Sequence, residues 1–275
     1  MKVLDDVKVD IKRRIRSLDS KQSNIFQLVD SSWTGDNAIS HSIFEISPLD
    51  EFRRLGDCRF KTVSRWAFDR LMEVYDRQEA HAVAALYHHI SITPEAATLW
   101  GHVFESRVLN RIDAGGYDFP IRRLTLPEEE TTWTCPKSPI PRFKFLQKKD
   151  FIEQITKAFE ENEPLHLVPA VPNFKAVDSI LYIPNEVLTC IQATVSSKDH
   201  GIHVPGLRVI QSWLGVKRDP LAHLRPSKDR PWRFIFIVPP DKSSSFGFQR
   251  LEHDTDKGAW AEKMHQYVLG LNVLE

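Results

Sequence analysis

The sequence is poor in cysteine: Cys58, Cys135 and Cys190 stand singly among 275 residues. An odd, scattered set without Cys-x-x-Cys spacing argues against a disulfide framework and a thiolate zinc site, and for a reducing compartment. Long apolar runs are missing too. No stretch approaches the roughly 18 apolar residues of a membrane span. The amino end, MKVLDDVKVDIKRRIRS, lacks the apolar run of a signal peptide. The chain therefore reads as soluble and intracellular, with no membrane partner. Neither sign of charge is in excess, since Lys plus Arg equals Asp plus Glu at 37. A nucleic-acid surface would have to be a local patch and not a whole-molecule field. There is no Gly-x-x-x-x-G-K-[ST] phosphate loop, which argues against ATP-driven action, and no Gly-x-Ser-x-Gly nucleophile elbow.

What is present is ordinary globular material, 41 % hydrophobic and 27 % charged, long enough to bury a core without staples. Residues 1–40 are mixed and polar, suited either to a short helix over 5–17 or to loose order. SHSIFEISP (40–48) reads as a strand stopped by Pro48. Across 62–90, Val63, Trp66, Ala67, Leu71, Val74 and Tyr75 recur at helical spacing. There Trp66, Phe68, Tyr75 and Tyr87 suit a core stripe better than a stacking platform. Thr93, Pro94 and Glu95 open a helix over 94–113 that Ala114-Gly115-Gly116 closes. Short strands are expected at 121–126, 131–134 and 142–146, then a helix at 148–162. Strands over LHLVPAV, 176–183 and 187–195 follow, then a helix at 204–215, a buried strand at 232–239 and an amphipathic helix over 258–271. This order predicts an α/β (α+β) protein built on one sheet. A mostly helical appendage, 1–92, would precede a domain over 93–275, the boundary falling where Ser91 and Thr93-Pro94 break the helical pattern.

Polar residues interrupt the apolar strands at 176–195. Alternation puts Leu188, Cys190, Gln192 and Thr194 on one face. A turn at Pro184-Asn185 folds this strand back on its predecessor, in a register that sets Asp178 across from Gln192. Burying a lone carboxylate costs several kcal/mol, so something must compensate. Two arrangements do so: a divalent cation held by the carboxylate and amide oxygens, or a carboxylate capped by backbone N–H groups or by the Gln192 amide.

The combination of a helix glutamate, a strand aspartate, a hairpin and a polar-x-polar strand resembles the PD-(D/E)XK, or restriction-endonuclease-like, superfamily, whose core order is αβββαβ. GHVFESRVL, NFKAVDSILYI and LTCIQATVSSKDHGI look like the nuclease-like domain of fungal and oomycete Crinkler proteins and of retrotransposon-hot-spot proteins. The likeness spans roughly 40–275 and is best over 93–240. It implies a core of the helix at 94–113, a strand within 121–170, the hairpin, the helix at 204–215 and the strand at 232–238. It further implies that Glu105, Asp178 and Gln192 hold Mg²⁺ or Mn²⁺ for phosphodiester hydrolysis, with DNA favoured over RNA as substrate. Thr194 falls at the place of the family's lysine, a departure that removes a charge, and Lys198 or His200 could supply what it lacks. A version of the fold that binds without turnover is the alternative.

Three further signals remain. KRRIR (12–16) suits either a solvated helix face or a phosphate-contacting or nuclear-import cluster. The segment 218–233 carries Arg225, Lys228, Arg230 and Trp232, residues suited to a nucleic-acid groove, with Trp232 available either to stack or to pack. HGIH (200–203) and His88-His89 lack further ligands at zinc spacing.

Overall fold

The computed structural model describes the backbone of residues 44–48 and 58–62. It then describes residues 97–273, apart from 126–128, 137–138, 171–173, 175, 197–200, 216–218 and 255–258. The described residues fall into two compact units divided between Ser106 and Arg107. In the first, β1 (Phe44–Pro48) and β2 (Cys58–Thr62) pair antiparallel, so the strand expected at 40–48 is there. The helices expected over 5–17 and 62–90 lie outside the described residues, as do the capping residues Thr93, Pro94 and Glu95. Helix α1 spans Ala97–Ala114. Gly115 and Gly116, at φ 62° and 76°, take the left-handed conformation that stops it.

The second unit holds an eight-stranded mixed sheet. Its strands are β3 (Asp118–Arg123), β4 (Glu130–Thr134), β5 (Arg142–Phe145), β6 (Leu165–Pro169), β7 (Ser179–Tyr182), β8 (Thr189–Ala193), β10 (Trp232–Val238) and β12 (Met264–Gly270). Their spatial order is β4-β3-β12-β10-β8-β7-β6-β5. The pairs β5/β6, β8/β10 and β10/β12 are parallel, and the others are antiparallel. A small parallel pair joins β9 (Ile202–His203) to β11 (Leu251–Glu252). Helices α2 (Lys148–Glu161), α3 (Val204–Trp213) and the single turn α4 (Pro240–Ser243) complete the unit. From α2 to β10, leaving aside the two-residue β9, the connectivity runs helix, three strands, helix, strand.

Local pattern explains the packing. In α2, Phe151, Ile155 and Ala158 recur at the spacing of one helical face and are buried. In α3, Val204, Leu207 and Ile210 do the same. Both stripes join a core with Leu167, Ile180, Cys190, Phe234 and Phe236, which alternate onto one face of the sheet. The intervening positions, Val168, Leu181, Ile191, Ile235 and Ile237, are equally buried on the other face. Strand β10 is covered on both sides and so reads as an unbroken apolar run. Asp113, near the end of α1, reaches His166 of β6 on that second face, the two side chains 2.6 Å apart.

One expectation fails. The helix expected over 258–271 is not seen at 259–271: turns at 259–263 lead into strand β12, which adds a third parallel strand beside β10. Among the described residues no helix is long and apolar enough to cross a membrane.

Candidate functional site

The hairpin register is the one the turn dictates. Ser179 pairs with Ile191, Ile180 with Cys190 and Leu181 with Thr189. Asn185 takes φ 67° in the turn, a conformation asparagine tolerates better than most residues. Asp178, one residue before β7, stands across from Gln192 and grips both of its neighbours. Its N–H donates to Ile191 O at 2.9 Å, and its Oδ2 accepts the Ala193 N–H at 2.7 Å. The carboxylate thus takes the place of a main-chain carbonyl where the ladder ends, the backbone-capping arrangement set out above. A carboxylate has several lone pairs, so this bond does not exhaust its capacity as a ligand. Gln192 is half-buried, and its amide has no hydrogen-bond partner among the described residues.

Thr194 follows directly. It is 7 % exposed, its N–H extends the β8/β10 ladder to Ile237 O, and its Oγ1 accepts the Ser196 N–H at 3.1 Å. The neighbouring thiol of Cys190 is pushed up to about 12 by burial, which removes it as a nucleophile. These groups gather at the carboxyl end of β8 and β10, the edge at which open α/β sheets bind ligands.

Glu105 is half-buried on α1 and belongs to the first unit; the pair in the second unit is Asp178 and Gln192. Lys198 and His200 lie outside the described residues. His203 of HGIH caps α3, its Nδ1 accepting the Gly206 N–H at 3.2 Å. Among the described residues no three His, Cys, Asp or Glu side chains form a metal-binding group. Asp178 and Gln192 nonetheless offer hard oxygens, and Mg²⁺ is commonly held by one or two protein ligands with waters and substrate phosphate completing its shell.

The basic loop is elsewhere. Arg230 donates to Glu186 O at the β7–β8 turn, at the amino end of β8, the end opposite Thr194. Arg225 donates to Gly215 O, and Lys228 lies 3.5 Å from Glu262 with both side chains exposed. Trp232 packs and does not stack. It is 1 % exposed, its ring lies against Trp260, and its indole N–H donates to Leu224 O at 2.7 Å. A cation that the motif reading does not single out is at the other end. Lys242 of α4 donates to Val195 O. Its sequence signal is its place, one residue beyond the Pro239-Pro240 stop of β10, after Asp241.

The fold defines a mixed α/β protein with a large mixed sheet. Compared with protein-family models, with curated proteins and with solved structures, the chain matches none.

Proposed function

We propose that this chain is a DNA-binding protein of nuclease-like design, in which Asp178 and Gln192 supply oxygen ligands for Mg²⁺ or Mn²⁺. The observation that carries the reading is the place of Asp178 at the carboxyl edge of β8, where the hairpin register continued one residue beyond Ser179–Ile191 sets it across from Gln192, both residues half-buried. The resemblance to restriction-endonuclease-like proteins implies a core opening with the helix at 94–113; in this chain β3, β4, β5 and α2 stand between that helix and β6, so a helix–three strands–helix–strand order starts only at α2, which does not carry Glu105. Glu105, the third ligand that the resemblance implies, belongs to the first unit and is no part of this pair. A bound divalent ion would lower the pKa of attacking water and offset charge on the phosphate. The chain's own part is to hold the ion through Asp178, whose carboxylate Ala193 N–H orients, and through the Gln192 amide oxygen.

A second reading has one specific observation in its favour. Thr194, at the place of the family's lysine, is buried and bonded to Ser196 N–H. No charge can reach the site from that position, which suits a pseudo-nuclease that binds without turnover. Incubation with plasmid DNA, with Mg²⁺, Mn²⁺ or chelator, distinguishes the two. Metal-dependent cutting that Asp178→Asn and Glu105→Gln each abolish supports the enzyme. DNA binding without cutting supports the module, and absence of both overturns the reading altogether.

A further inference from the structure

Among the described residues, the carboxyl edge of β8 and β10 carries the side chain of Lys242. Lys242 is half-buried on α4, and among the described residues its one partner is the uncharged carbonyl of Val195. Asp241, the residue before it on α4, is exposed. Lys242 is also held in position. Thr194 N–H on Ile237 O ties the chain after β8 to β10, and Pro239-Pro240 turns β10 directly into α4. Arg122 of β3 then fastens the segment beyond, donating through Nη2 to Ser243 O at 2.8 Å and to Phe246 O at 2.9 Å. Val195 lies two residues beyond Ala193, whose N–H the Asp178 carboxylate accepts. Both contacts therefore lie at the carboxyl end of β8. The basic loop at Arg225, Lys228 and Arg230 is at the far end of the same strands.

We infer that Lys242 is a phosphate anchor, the side chain that receives a backbone phosphodiester of nucleic acid at the Asp178–Gln192 edge. The inference rests on the nucleic-acid reading above and adds the residue that fixes the strand there. Lysine suits the task as a compact, flexible point charge. The contact carries no base information, so it is independent of sequence.

The test is binding of a fluorescent duplex DNA by the full chain, without divalent metal, across a salt series. Wild type is compared with Lys242→Met, which keeps the apolar stem, and with Lys242→Arg. Lys157→Ala, an exposed position on α2 paired with Glu161, is the control. One released counterion is worth roughly 0.9 in the slope of log affinity against log salt, so Lys242→Met is expected to lower the slope by about 0.9 and the affinity about eightfold at 0.1 M salt. Lys242→Arg and Lys157→Ala keep the wild-type slope. A Lys242→Met protein with unchanged melting temperature and an unchanged slope overturns the anchor and leaves the DNA reading standing. Wild-type protein that binds no duplex removes the DNA reading and the anchor with it. If Lys242→Met melts early, Lys242→Gln is read in its place: a slope lowered by about 0.9 at wild-type melting temperature keeps the anchor, and a wild-type slope sinks it.

Discussion

Asp178 carries two candidate duties in one carboxylate, and substitutions separate them. As a cap, it satisfies the Ala193 N–H at the point where the β7/β8 ladder runs out. As a ligand, it offers charge to a cation. Asparagine keeps an acceptor oxygen and loses the charge, whereas alanine loses both. Asp178→Asn is therefore expected to cost about 1 kcal/mol of stability or less, and Asp178→Ala about 1–3 kcal/mol, because a buried donor left without a partner forfeits its full desolvation cost. Urea unfolding of the two variants measures this. Equal destabilisation by both would show that the charge, and not the oxygen, stabilises the fold. The opposition of Asp178 and Gln192 was legible in the sequence because Pro184-Asn185 and strict alternation leave few registers open. The bond from Ala193 was not, because a side chain standing in for a main-chain carbonyl has no sequence pattern.

At the scale of elements, strand β12 shows where periodicity misleads. Trp260, Met264, Tyr267, Val268 and Leu271 recur at three- and four-residue intervals and imitate a helix face. The strand's true alternation, Met264, Gln266, Val268, is hidden because its middle member is polar. Gln266 is 2 % exposed. Its Oε1 accepts the Gln249 N–H at 2.8 Å, and its Nε2 donates to Gln249 O at 2.8 Å. The side chain thus serves as a missing strand for Gln249, and a buried glutamine so paired is as much a core residue as leucine. Gln266→Met improves the apolar alternation and keeps the volume. It is nonetheless expected to destabilise by about 2 kcal/mol or more, since it strands the N–H and C=O of Gln249. Thermal or urea unfolding checks this, and a neutral or stabilising result would mean that the segment at 247–250 finds other partners. By contrast α2, α3 and β10 were legible from sequence, since their apolar residues alone trace the buried face or run.

Across the second unit, the last turns of α1 meet strands β5 and β6 through polar groups set into an apolar setting. Asp113 accepts from His166 Nδ1 at 2.6 Å and pairs with Arg142 at 2.7 Å, and Arg142 also reaches Asn110. The imidazole is fully buried, and its Nε2 has no hydrogen-bond partner among the described residues. Burial drives its pKa below the usual histidine value, and Arg142 pushes the same way, while the bond to Asp113 opposes them without prevailing. The folded state therefore holds a neutral ring at pH values where the unfolded chain already binds a proton, below about 6.5. Because the unfolded state takes up more protons, stability is full above that value. It falls as the pH drops from about 6.5 towards the lowered folded-state value, with a slope of up to about 1.4 kcal/mol per pH unit from this group. His265, half-exposed and lowered by burial and by Arg123, adds a smaller contribution of the same sign. Urea unfolding between pH 7.5 and 5.5, for wild type and His166→Asn, isolates the effect, because the remaining titrating groups are common to both. The variant is expected to be less stable at pH 7.5, through lost packing and a weakened tie to Asp113, yet flatter with pH, so the two curves converge on the acid side. Curves that diverge on the acid side, with wild type gaining on the variant as the pH falls, would mean that His166 is protonated in the folded protein as a charged partner of Asp113, and that α1 is fastened to the sheet by an ion pair and not by a neutral ring.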